Sequence, residues 1–268
     1  MNRAFTAWKW SLGVVARSYR TVVVLAALIA LWAFAAYEWL SLPESSTLLL
    51  IFALIWAIAQ LLVAVGVVGG IISGGARAVA TEGWDVPLRS LWTTKGKDFL
   101  NALVFCLVTV VLVWLCDAVF VWINGHSVEV ASFLTFHSQK AVSHVPIEEI
   151  YHVIEGVLWV VLSGFLLSFF MVLSREGWRE AGRQRWNLLA DNTFRTPFVA
   201  SLLSVAVFGG VAYQLANWHP IVSPGFWDYS QVIARFSLAL ILISAGVLFW
   251  TLSLACLQAP TQDSSQEG

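Results

Sequence analysis

Charge is what this chain has least of: Asp, Glu, Lys and Arg make up 12% of its 268 residues, against about 25% in ordinary soluble domains. So little charge cannot solvate a chain of this length in water, whereas 59% of hydrophobic residues suits one surrounded by lipid. Cysteine is scarce too. Cys106, Cys116 and Cys256 stand far apart inside apolar runs, which excludes a disulfide framework and a zinc motif and leaves them as small hydrophobes. No glycine-rich turn ends in Lys-Ser or Lys-Thr, so there is no loop to cradle a nucleotide phosphate. With 15 basic residues, 16 acidic ones and a net charge of -1, nucleic-acid binding is not indicated, and nothing points to a cofactor.

What charge there is follows a pattern. The Lys and Arg residues fall in stretches 1–20, 77–97 and 175–195, with Lys140 and Arg235 the exceptions. By the positive-inside rule these stretches face the cytoplasm, and the chain crosses an even number of times between them. The apolar runs that separate them predict six helices near 20–40, 47–72, 98–123, 150–174, 197–217 and 230–256, each long enough for a bilayer. The expectation is an all-α, polytopic bacterial inner-membrane protein: one domain over 1–258, three hairpins with interfacial helices, both termini cytoplasmic, and a disordered tail over 259–268.

Two basic stretches share a motif. Glu82-Gly83-Trp84 leads to Arg89 and Trp92, and Glu176-Gly177-Trp178 leads to Arg183 and Trp186 at the same spacing. Trp8, Trp10, Arg17 and Arg20 form a looser third copy, which raises a pseudo-threefold arrangement. Trp with Arg at such spacing suits a helix in the headgroup region, its indoles at the apolar boundary and its guanidiniums toward phosphates. Anionic membrane lipid is the expected contact, and a docked protein partner is the alternative. These two segments give the chain a layout that resembles uncharacterised prokaryotic six-span membrane proteins, in which amphipathic cytoplasmic segments precede alternate spans. The resemblance implies that fold and no activity.

Gly66, Gly70 and Gly74 recur every four residues on one face of the second span, a pattern that permits close backbone approach. Packing within the bundle is expected there, with Gly209 and Gly210 as the facing surface and contact between copies as the alternative. Ionisable residues within spans are costly and tend to face the bundle interior. Asp117, Glu155 and Arg235 lie at a common depth, roughly 8 to 9 Å below the outer surface at about 1.5 Å per residue. Arg235 is expected to pair with Asp117 or Glu155, either as a structural tie between spans 3, 4 and 6 or leaving one acid over, as a proton or cation site or as a protonated carboxyl. Gln60 and Gln214 extend this into a polar pocket or make isolated interhelical bonds.

In the longest outer loop and just beyond it, His144, Glu148, Glu149 and His152 share the start of a helix. Half of the ligand set a di-iron site needs is missing, so no metal is expected. Three function classes follow: a transporter or permease-type protein handling a small molecule or lipid, a membrane scaffold or assembly partner, and an outer-leaflet enzyme. The first is preferred, and no catalytic residue is assigned.

Overall fold

The computed structural model describes residues 2–42, 46–81, 83–92, 96–218 and 226–258. Glu44, Glu82 and the tail 259–268 lie outside them. The described residues contain ten α-helices: α1 (Asn2–Arg17), α2 (Tyr19–Leu40), α3 (Thr47–Ala80), α4 (Gly96–Gly125), α5 (Ser127–Ser138), α6 (Val145–Glu176), α7 (Trp178–Phe194), α8 (Thr196–Leu203), α9 (Gly210–Asn217) and α10 (Phe226–Gln258). A π-helical turn, Ser204–Gly209, joins α8 to α9, so Thr196–Asn217 forms one long rod. Among the described residues six helices are long and apolar enough to cross a membrane: α2, α3, α4, α6, the α8–α9 rod and α10. Of the most apolar stretches of α3 and α4 only 6% is buried. So large an apolar surface left uncovered is tolerated by lipid and not by water.

Inward-facing side chains explain the core. Ala7, Ser11, Val14 and Val15 form a buried stripe on α1 at helical spacing, and α1 packs along α10. There Val14 and Val15 join Leu248, Phe249 and Leu252 in one cluster. Phe170, Met171 and Leu173 of α6 build a second with Leu254 and Ala255. α10 is the hub, packed on α1, α2, α3, α6 and the α8–α9 rod. Gly246 lets the π-turn approach it closely, since a Cβ there would stand 2.5 Å from the Cβ of Phe208.

The three basic segments lie at one end of the bundle and take three different shapes. α1 is a helix against α10, and α7 is a helix across the end of α6, made after Gly177 adopts a positive φ of 88°. The segment between them is no interfacial helix. Residues 83–92 hold one 3-10 turn, Leu88–Leu91, laid back along α3. Pro87 explains the difference: it lacks an N–H and pushes the residue before it out of the helical region. Its counterpart in the second copy, Ala181, has neither property. The pseudo-threefold expectation is corrected accordingly.

The glycine ridge receives this returning segment. Cβ atoms at Gly66, Gly70 and Gly74 would stand 2.6 Å from the Trp92 ring, 2.5 Å from the Leu91 carbonyl carbon and 2.6 Å from the Ser90 Cβ. The ridge therefore serves internal packing, against a loop. Gly209 and Gly210 do not face it: Gly209 has only Val205 nearby and Gly210 has nothing within 4 Å. On its other side the segment is held at Val86, whose N–H donates to Ser18 Oγ at 2.8 Å and whose carbonyl accepts from Thr21 Oγ1 at 2.6 Å.

α7 is tied down through Asn192, which is 1% exposed. Its amide donates to Ser168 Oγ at 3.1 Å and to the Leu188 carbonyl at 2.8 Å. Asn192→Ala should lower stability by about 1 to 3 kcal/mol, since it strips a buried hydroxyl of its partner. The thermal midpoint of the purified protein measures this, and a change under about 0.5 kcal/mol, the usual surface effect, would mean that α7 docks without it.

Candidate functional site

The predicted site residues do not assemble into one pocket. Asp117 on α4 is exposed and makes no hydrogen bond or ion pair among the described residues, and α4 packs on α3, α5 and α6. Glu155 on α6 is turned to its own helix: its Oε1 accepts from Trp159 Nε1 at 3.5 Å, and its Oε2 stands 3.5 Å from His152 Nδ1. Arg235 forms no ion pair among the described residues, and its Nε and Nη1 are buried without a hydrogen-bond partner. The expected pairing with Asp117 or Glu155 is corrected. α10 packs mainly on the α8–α9 rod, α1, α2 and α3 and only slightly on α6, where the side chains that meet are those of the basic end, Phe170 and Met171 with Leu254 and Ala255.

The glutamines separate likewise. Gln60 makes an interhelical bond, donating from Nε2 to the Ala35 carbonyl at 2.9 Å, while Trp32 Nε1 donates to the Gln60 carbonyl at 3.3 Å. Gln214 is exposed on α9. At the far end of the bundle, opposite the basic one, Glu148 Oε1 accepts from Ser127 Oγ at 2.9 Å, joining α6 to α5. Among the described residues no three of His, Cys, Asp and Glu converge, so His144, Glu148, Glu149 and His152 form no ligand set.

The tryptophans of the shared motif have unlike surroundings. Trp84 is exposed and lies under the Arg17 guanidinium, 4.6 Å from ring centroid to Cζ. Trp92 lies on the α3 glycines and lines, with Arg77, Asp85 and Arg89, a pocket of about 430 Å³. Trp178 Nε1 donates to Asn101 Oδ1 on α4 at 3.1 Å. Trp186 is exposed beside Arg185, and Arg183 pairs with Glu180 at 3.6 Å.

Apolar hollows also lie along the bundle, among them a groove of about 270 Å³ between α2 and α3. A cleft of about 230 Å³ runs between α3, α4, α6 and α10. Its walls are almost wholly apolar: Val68 and Ile72, Phe105 and Val113, Trp159 and Leu166, and Val247 and Trp250, with Thr109, Ser163 and Thr251 among them. The polar atoms on α10 are accounted for. Trp250 Nε1 donates to Ser201 Oγ at 2.8 Å, and Thr251 Oγ1 donates to the Val247 carbonyl at 2.8 Å. Thr109 differs, for its Oγ1 is buried with no partner. A helical threonine ordinarily bonds the carbonyl four residues back, and leaving such a hydroxyl unsatisfied in an apolar setting costs about 1 to 3 kcal/mol.

Sequence reasoning missed this cleft, and the only signal for it was the placing of Thr109 and Ser163 in mid-span. It also missed α5, which leaves Val128, Phe133 and Phe136 exposed. Comparison of the chain with protein-family models, with curated proteins and with solved structures finds no match.

Proposed function

We propose that this multi-pass membrane protein takes a lipid or small molecule with an apolar body into the cleft between α3, α4, α6 and α10 and passes it across or within the bilayer, as a permease-type protein. The cleft enclosed by four helices, almost wholly apolar and with Thr109, Ser163 and Thr251 as the few polar residues in its walls, is the observation that carries this. Ligand sites are commonly apolar concavities with a few placed polar groups, and they recur between the helices of bundles. The distribution of Lys and Arg supports a bacterial inner membrane with both termini in the cytoplasm. The five arginines of 175–195 favour contact with anionic headgroups there.

Photolabelling tests the reading. Dodecanol carrying a diazirine in its chain should label the α4 and α6 peptides that contain Thr109 and Ser163. Filling the cleft by Ser163→Trp should remove most of that label, and Val113→Phe, at its more exposed edge, should do the same with less strain on the fold. Labelling spread evenly over the lipid-facing surface, and unchanged in either variant, would overturn the proposal.

A further inference from the structure

We infer that the pocket between α3 and the segment 83–92 holds the phosphodiester head of an anionic phospholipid, gripped by Arg77 and Arg89. The pocket is about 430 Å³ and shares no residue with the apolar cleft. Its walls bring together Arg77 and Thr81 of α3 with Asp85, Arg89 and Trp92 of the returning segment. The seat of that segment decides which side chains meet. Ser90 sits on Gly74, its Cβ 2.6 Å from where a Cβ of the glycine would stand. Arg89 therefore enters the pocket beside Gly74, and Arg77 enters it from the next helical turn of α3. Because Val86 is bonded to Ser18 and Thr21, this wall is formed before any lipid arrives.

Neither guanidinium is committed to an acid. Arg77 Nε donates to the Ser73 carbonyl at 3.1 Å and its Nη2 to Ser73 Oγ at 3.5 Å. Arg89 makes no hydrogen bond or ion pair among the described residues, and Asp85 pairs with neither arginine. The lining thus carries two positive charges against one negative, and a phosphodiester, with its single negative charge, balances the surplus. A free or monoester phosphate brings about -1.5 to -2 at pH 7 and overshoots it beside Asp85. Planar guanidinium forks match phosphate oxygens two at a time. Depth selects a lipid. Residues 47–76 hold no Asp, Glu, Lys or Arg, a run of roughly 45 Å at about 1.5 Å per residue, which is the thickness of a bilayer with its headgroup layers. Arg77 is the first charge after it, so the pocket opens at headgroup level, where basic pockets beside spans recognise anionic lipid heads. Trp92 covers Gly66, about 12 Å deeper than Gly74 along α3, and gives the upper part of the acyl chains an indole to lie against.

Native mass spectrometry from micelles mixed with dioleoyl phosphatidylglycerol and dioleoyl phosphatidylcholine tests the site. One phosphatidylglycerol should be retained per chain, about tenfold in excess of the zwitterionic lipid, and Arg77→Gln or Arg89→Gln should each remove the excess, a charge-assisted contact being worth about that factor. Arg179→Gln with Arg185→Gln takes the same charge as both pocket variants together from α7, at the same end but outside the pocket, and should leave retention as it is. Asp85→Asn should raise retention, a gain that a misfolded protein does not give. If the α7 variant loses the excess as fully as the pocket variants do, diffuse charge explains it. If Arg77→Gln with Arg89→Gln keeps the excess, or Asp85→Asn lowers it, the lipid is held elsewhere. If a large excess of inorganic phosphate displaces the lipid from the unaltered protein, the occupant is a soluble anion. Each of these three results overturns the proposal.

Discussion

Gly70→Val should yield almost no folded protein from a membrane extract. The first atom it adds would stand 2.5 Å from the Leu91 carbonyl carbon and 2.6 Å from the Trp92 nitrogen, both of them backbone. A flexible side chain could swing away, but this segment is also held at Val86 by Ser18 and Thr21. Overpacking a close-packed interior typically costs about 1 to 3 kcal/mol and occasionally more. Here the obstacle cannot yield without breaking its other bonds, so the upper end is expected. Gly13→Ala is the matched control. Nothing lies within 4 Å of its new Cβ, and removing a helical glycine should stabilise α1 by about 0.8 to 1.0 kcal/mol. Yield and thermal midpoint in mild detergent measure both. A well-folded Gly70→Val protein would show that the 83–92 segment is not seated on α3.

Arg235→Met should raise the thermal midpoint, contrary to what a membrane arginine in an ion pair would do. Two of its three guanidinium nitrogens are buried with no acceptor. Exchanging even a paired buried charge for an apolar residue of similar size is often neutral or stabilising by about 1 to 4 kcal/mol, and an unpaired one has less to lose. Had Arg235 been paired with Glu155, the single variant would be destabilised and Glu155→Gln would rescue it. The structure leads to the opposite expectation: Arg235→Met is more stable alone, and Glu155→Gln adds nothing to it. A fall in midpoint that Glu155→Gln or Asp117→Asn reverses would restore the ion pair.

The six spans were legible because water and lipid differ sharply for charge, and each run free of Asp, Glu, Lys and Arg marks its own helix. The predicted span 47–72 became α3, Thr47–Ala80, and 230–256 became α10, Phe226–Gln258; the helices overrun because Arg77 and the first turns of α10 can extend beyond hydrocarbon. Contacts between spans were not legible for a related reason. Lipid tails are as apolar as leucine, so hydrophobicity does not tell a residue facing a helix from one facing lipid. Phe170 is 1% exposed and Val121 66%, yet both sit in apolar runs. The ridge of Gly66, Gly70 and Gly74 announced close approach without naming what approaches. Pro87 was the overlooked sign that 83–92 departs from its sequence twin at 177–186. Asp117, Glu155 and Arg235 do share one end of the bundle, but depth along a span says nothing of the direction a side chain takes around it.

The hub position of α10 also sets a clock. The buried stripe of α1 closes on Leu248, Phe249 and Leu252, so α1 waits for a span made more than two hundred residues after it. At about 5 to 20 residues per second, the wait is roughly 12 to 50 s. Through that time the buried face of α1 lacks the α10 side chains that complete its cluster, and α10 supplies the surface on which α1, α2, α3 and the α8–α9 rod all close.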